Sequence, residues 1–255
     1  MNKIIINDNT FDIKLDTIKY EVKEDFVKKI YLDILTDSTL EIEYNIEEVK
    51  LNIFVRLNDN VSLLLKEKRN GDNFKVKYNY TLGENSQLTI NKINDVNTVK
   101  EYDLIDLHGK GSTLNYILKT ICKNDEKYDI VVNHNKKETT SEIITNGLNI
   151  DGKMVVNVTG YVPNGSSNSN LVQDNRIINL TNNKCEIKPN LLIDEEIVNA
   201  SHSAHISSFS DEDLFYLMSR GISKEAANKL LIKGFLNSHL EENEYISNLI
   251  KKYWG

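Results

Sequence analysis

What this chain lacks narrows its class first. Cysteine is scarce, with Cys122 and Cys185 the two in 255 residues. They are too far apart for a metal-binding pair and too few for a disulfide framework, so both read as reduced thiols. A basic excess is absent. Lysine plus arginine is 31 against 38 for aspartate plus glutamate, a net charge of −7. That argues against a surface for duplex nucleic acid and leaves room only for a local basic patch. No run approaches the roughly 20 apolar residues that span a bilayer. The opening MNKIIINDNT is no secretory signal, so a cytoplasmic location is expected. Proline is rare, at two, and with abundant Asn, Lys and Ile this reads as coding bias. A phosphate-binding loop is missing too. Gly109-Lys110-Gly111-Ser112-Thr113 lacks the required spacing, so no nucleotide is expected on this chain. Neither a Gly-x-Ser-x-Gly elbow nor a His-Glu-x-x-His helix is present.

What is present is alternation. Leu40, Ile42, Tyr44 and Ile46 are spaced by polar residues, as are Val49, Leu51, Ile53, Val55 and Leu57. Val61, Leu63 and Leu65 follow, then Phe74, Val76, Tyr78 and Tyr80. Each segment offers one apolar face, the requirement of a half-buried strand. Turn residues punctuate them about every dozen positions, at Asn58-Asp59-Asn60, Gly71-Asp72-Asn73 and Gly83-Glu84-Asn85. Residues 1 to 35 read as short strands, with 22–35 open to strand or helix and strand preferred. Such spacing suits an antiparallel sandwich or barrel, or a β-solenoid whose turns bury their faces on one another. Pattern alone leaves both open.

The character changes at Ala200–Gly221, where Ser201, His202, Ser203 and His205 precede a helix start. Ser210 is an N-cap candidate, followed by Asp211, Glu212 and Asp213 at the positive end of the helix dipole. Leu214, Phe215, Leu217 and Met218 supply an apolar face, and Gly221 stands where a left-handed cap is wanted. Ser223 opens a second helix with Ala227, Leu230, Leu231 and Phe235 on one face. A third helix is expected from about Glu242 to Tyr253. The organisation is therefore a β body, residues 1–208, and a helical segment, residues 209–255.

With these residues laid out, the chain resembles the SufB/SufD scaffold family of the SUF iron–sulfur cluster assembly machinery. IKPNLLIDEEIVNASHSAHISSFSDEDLFYLMSRGISKEAANKLLIKGF, Ile187 to Phe235, is similar to that family's C-terminal signature: a Lys-Pro run, a strand ending in Ser-His-Gly-Ala-Thr, then an Asp-Glu-Asp-x-Leu-Phe-Tyr-Leu helix start. Val131 to Gly165, with His134, resembles a second family segment, and Gln173, Asn175 and Arg176 fall in a third. The resemblance spans about 75–253. The family's larger N-terminal region is expected to be missing or trimmed.

The resemblance implies a right-handed parallel β-helix followed by helices that bind a SufC-like ABC-type ATPase. Asp213, Leu214, Phe215, Tyr216, Arg220, Gly221 and Phe235 are the partner-binding candidates. It also implies pairing with a second copy or a SufB-like subunit, with a transient Fe–S cluster at the interface. His202 is the leading cluster or iron ligand, since neutral imidazole binds iron; the plain alternative is a hydrogen-bonded histidine on the last strand. Cys185 is a second candidate, because thiolates are the usual cluster ligands, against the alternative of a free thiol. Ser201, His134 and Arg176 occupy family-matched positions, with a structural hydrogen-bonding role first for His134. His205 would face away from His202, and Cys122 reads as core.

The family's Ser-His-Gly-Ala-Thr stands here as Ser201-His202-Ser203-Ala204-His205. The SufB branch has a glutamate where Ser203 stands and a cysteine near Asp174-Asn175-Arg176, where none exists. Both departures favour a SufD-like, non-catalytic scaffold. The alternatives are a single-component homodimeric cluster scaffold and, remotely, a carbohydrate-active β-helix enzyme.

Overall fold

Alternating segments become strands because each buries one row of side chains and leaves the other in water. The computed structural model describes residues 2–8, 10–23, 27–240 and 243–255, and strands make up 62% of the protein. β1 (Asn2–Asn7) pairs antiparallel with β2 (Phe11–Lys14), and β3 (Ile18–Lys23) with β4 (Lys28–Ile34). The stretch 22–35 is thus strand on both sides of residues 24–26, which lie outside the described residues.

Every other strand pair is parallel. β5 (Ser38–Leu57), β6 (Ser62–Leu82) and β7 (Gln87–Leu107) each run along one side, bend at a corner and continue along the other. From there each rung is two strands. β8 (Thr113–Cys122) leads to β9 (Asp125–His134), and β10 (Thr140–Asn149) to β11 (Lys153–Val162). β12 (Ser169–Asn179) leads to β13 (Cys185–Ile193), and β14 (Val198–Ser207) closes the series. One ladder runs β1, β5, β6, β7, β8, β10, β12, β14. The other runs through β4, the second halves of β5 to β7, then β9, β11 and β13. The fold is a parallel β-solenoid of about 7 turns, which resolves the choice that periodicity left open.

Two details explain how the rungs stack. Gly71 was expected to separate strands; it is instead a corner inside β6, at φ 151°. A Cβ there would lie 1.9 Å from the Ile46 carbonyl oxygen of the rung beneath, so the corner admits only glycine. At the opposite edge, Asn60, Asn85, Gly111, Glu138 and Asn168 all take left-handed backbone conformations. Their N–H groups donate to carbonyls one rung on, at Glu84, Lys110, Lys137, Ser167 and Ile197. The Gly109–Thr113 segment is one of these stacked turns. The interior between the ladders holds the alternating apolar residues, including Leu40, Ile42, Leu51, Val55, Phe74, Leu88 and Tyr116.

After β14 come α1 (Asp211–Ser219), α2 (Lys224–Asn237) and α3 (Glu244–Trp254). Ser210 caps α1 by accepting from the N–H groups of Glu212 and Asp213. Gly221, at φ 84°, ends it with Ile222 N–H on Leu217 O and Gly221 N–H on Met218 O, the six-to-one and five-to-two pattern of a glycine stop. Glu242, taken from sequence as the start of the third helix, lies outside the described residues. α2 and α3 lie on the outer face of the first ladder. Ile232, Leu236, Ile246 and Leu249 pack there on Ile93, Ile121, Leu148 and Ile178. The buried face of α2 is Ala227, Ile232 and Leu236, rotated from the expected set. Leu230 is exposed because the sheet's isoleucines meet the neighbouring stripe. Asp95, buried on β7, anchors α3 through Lys252 at 2.7 Å and the Tyr253 hydroxyl at 2.5 Å, with Lys123 at 2.8 Å. Among the described residues no helix is long and apolar enough to cross a membrane.

Candidate functional site

The solenoid ends on an uncovered rung. Among the described residues β14 pairs only with β12, and β13 only with β11, so both present a free edge. Register places His202 opposite Gln173, and Gln173 is buried. His202 therefore continues an inward-facing row, with Ala200 and Ala204 beside it, but no further rung covers it and it is exposed. Ser201, Ser203 and His205 fall in the opposite, outward row, as alternation required. Beneath His202, the Gln173 amide donates to Asn190 O at 3.3 Å while its Oε1 has no hydrogen-bond partner among the described residues.

Outside the rung, Arg176 holds Asp174 at 2.9 Å and the Ser203 hydroxyl donates to Asp174 Oδ1 at 2.6 Å. Against its partial burial, these two partners keep the Asp174 carboxyl below its usual range. Ser203 thus ties the last rung to the one beneath.

Cys185 starts β13 and is not brought to His202. Gln173, beneath His202, reaches Asn190, five positions along β13 from Cys185, about 16 Å at ~3.3 Å per residue. The Cys185 thiol accepts from Asn149 Nδ2 at 3.3 Å, and partial burial raises its pKa. Cys122 is fully buried core, its thiol pushed far up by burial. His134 is buried two strands below β13 in the same ladder, with Thr139 Oγ1 at 2.7 Å and Ser141 Oγ at 2.9 Å. Burial lowers its pKa to about 4, so it is a neutral hydrogen-bonding residue within the stack. Among the described residues no group of three or more His, Cys, Asp or Glu side chains is arranged to hold a metal ion.

The helical candidates divide. α1 buries none of its residues. Phe215 is 75% exposed and Tyr216 57%, with Met218 and, on α2, Leu230 also exposed. Asp213, Arg220 and Gly221 are exposed and Leu214 half-buried; the Arg220 guanidinium lies over the Tyr216 ring at 5.3 Å. Phe235 differs: it packs into the helix–sheet cluster, and its carbonyl accepts from Asn146 at 3.1 Å.

One group escaped the sequence reading. Glu67, Arg69, Lys92, Glu101 and Asp103 are all buried inside the solenoid. Arg69 pairs with Glu67 at 2.7 Å and with Glu101, and Lys92 bridges Glu101 at 2.6 Å and Asp103 at 2.5 Å. Tyr78 donates to Glu67 at 2.9 Å and Tyr116 to Asp103 at 2.5 Å. Burial, then the Glu101 charge, pushes Asp103 up to about 7. Burial opposes ionisation of Glu101 too, but Arg69 and Lys92 hold it down to about 2. Two cations thus face three carboxylates, one of which keeps its proton near neutrality. The signal was there: Glu67 and Arg69 occupy the inward positions that follow Leu63 and Leu65.

A parallel β-solenoid with a bare terminal rung and a helical appendage defines the class. The model of the SufBD core domain of the SUF FeS cluster assembly system matches residues 32–235, and the chain belongs to that family. It is 32% identical over 148 residues to the iron–sulfur cluster assembly protein SufD of Bacillus subtilis, covering 56% of this chain and 34% of that protein. An iron–sulfur cluster assembly SufBD family protein of Staphylococcus saprophyticus is 34% identical over 113 residues, 43% of this chain and 24% of the relative. One from Mycobacterium leprae is 49% identical over 63 residues, 24% of this chain and 16% of the relative. The chain thus matches about a third or less of the length of these relatives.

Proposed function

We propose that the chain is a non-catalytic scaffold subunit of an iron–sulfur cluster assembly complex, working in the cytoplasm. It docks a SufC-like ABC-type ATPase through its C-terminal helices and pairs at its bare rung with a second copy or a SufB-like subunit. The observation that carries this reading is α1: a capped helix with no buried residue, holding Phe215 and Tyr216 out to solvent. Exposed aromatics with an arginine beside them are the residues that dominate binding energy at protein interfaces. The bare rung supports the pairing half. Leu192 is 55% exposed and Ile197 61%, with Ile193 and Ile206 also exposed, beside two unpaired strand edges. Edges of that kind take up another strand unless covered.

The test is co-expression with a SufC-like ATPase. The wild-type chain is expected to co-purify with it, and the Phe215→Ala, Tyr216→Ala double variant to lose it while keeping its melting temperature. Equal recovery with both would remove the helix from the docking site.

The exposure of His202 at the open end favours a second arrangement, a homodimeric scaffold in which two copies bring their His202 residues to one cluster. Anaerobic reconstitution of the lone protein with iron and sulfide decides between them. Stoichiometric cluster that is lost in His202→Ala supports the homodimer, and absence of bound cluster supports the multi-subunit form.

A further inference from the structure

The outer face of the second ladder carries a row of lysines. Register sets Lys50 opposite Lys75, Lys75 opposite Lys100, and Lys100 opposite Lys127. All four are exposed. Neighbouring strands lie about 4.8 Å apart, so the row is some 14 Å long and runs along the solenoid axis. Lys77 stands two residues from Lys75 on the same face of β6. Lys50, Lys75, Lys77 and Lys100 line one groove of about 490 Å³, together with Asn52, Tyr102 and a partly exposed carboxylate, Asp129.

Like charges directly opposite on neighbouring strands repel. Part of that repulsion is offset: Lys127 pairs with Asp129 at 2.9 Å, and Lys75 reaches Glu48 at 3.8 Å. Lys77 and Lys100 have no ion pair among the described residues. A chain with a net charge of −7 has thus concentrated four lysines in one groove, with Asp129, the partner of Lys127, at its edge and no ion pair to Lys77 or Lys100 among the described residues.

The row also has a defined end. Past Lys127 it continues to Val155 and then to Glu186. A long polyanion laid along it would meet that carboxylate and the acidic remainder of the surface. A short acidic stretch would not. Some 14 Å matches about four to five extended residues at ~3.3 Å each. Tyr102, partly exposed between the lysines, offers a ring to the stem of a peptide.

From this arrangement we propose that the lysine row is a docking groove for a short acidic segment of a partner protein, laid along the solenoid axis. It stands on a different sheet face from the terminal rung and the helices, and does not depend on the function proposed for them. Binding is electrostatic and falls as salt rises, since the charges are exposed and screened.

A fluorescein-labelled hexaglutamate peptide, measured by anisotropy against the full chain at low salt, tests it. Charge reversal in Lys77→Glu, Lys100→Glu is expected to weaken binding about tenfold, within the limit set by two exposed charge pairs of up to ~1 kcal/mol each. Lys66→Glu, on the other ladder, is expected to leave it unchanged, and circular dichroism confirms that all variants are folded. No binding by the wild-type chain, or equal loss with Lys66→Glu, overturns the proposal. A labelled oligothymidylate that binds the same lysines more tightly than the peptide overturns it in favour of nucleic acid.

Discussion

Asp103 is where local chemistry reaches furthest into stability. Its folded-state pKa, near 7, lies above the ordinary carboxylate value, so the folded chain binds a proton that the unfolded chain has released. Its contribution is complete below about pH 4 and is lost as pH climbs toward 7, by on the order of 1.4 kcal/mol per pH unit while one proton separates the states. Glu126, pushed up to about 8 by burial, acts in the same direction. His134, lowered to about 4, acts oppositely, costing stability as pH falls from 6.5. Asp103→Asn mimics the protonated acid. Its stability relative to wild type is expected to rise between pH 4 and 7 and to level off above. Urea denaturation of both proteins across that range measures it, and parallel curves would show that Asp103 is ionised throughout.

Among the elements, α3 is held to the sheet by charge. Its last turn reaches Asp95 through Lys252 and Tyr253, and both contacts are made to a buried carboxylate. Asp95→Asn keeps the shape and removes the charge, which is expected to cost about 1–3 kcal/mol at a buried charged hydrogen bond. Hydrogen exchange is the readout: amides of α3 exchange faster while those of β5 to β12 keep their protection. Uniform loss of protection would mean that the helix and the rungs unfold as one. The elements themselves were readable from the chain to differing degrees. Leu40 to Ile46 and Val49 to Leu57 each alternate, so the two halves of β5 were legible, as was the Ser210 cap, since each depends on neighbours in sequence. The parallel pairing was not, because alternation serves parallel and antiparallel sheets alike. Nor was the facing stripe of α2, set by Ile93, Ile121, Leu148 and Ile178, which come from four distant strands. His202 was legible as a position, and its inward-facing row only from register. The cluster around Arg69 was hidden because a charge at an inward position looks, in one dimension, like the end of a strand.

For the whole molecule, the two ends differ. The β1–β2 and β3–β4 hairpins lie at one end, while β13 and β14 at the other carry exposed isoleucine and leucine on open edges. If that end pairs with another subunit, charges placed there block association without touching the body. Leu192→Lys, Ile206→Lys is expected to shift the sedimentation of a homodimer, or of a co-purified pair, to the monomer. Thermal stability is expected to change little, since both side chains are exposed, Leu192 in the outward row and Ile206 on the uncovered side of the last rung. A wild-type chain that stays monomeric at every concentration and with every SufB-like subunit tried would end the pairing account.

The charged knot around Arg69 also bears on how such a protein can lengthen or shorten over evolution. A stack of similar coils ought to gain or shed one coil freely, as a ladder gains a step. Here Arg69 and Glu101 belong to successive coils, and Tyr116 of the next coil donates to Asp103. Deleting one of these middle coils would remove partners from the buried polar groups left behind, so a change in length is expected to cost more stability there than in the coils on either side.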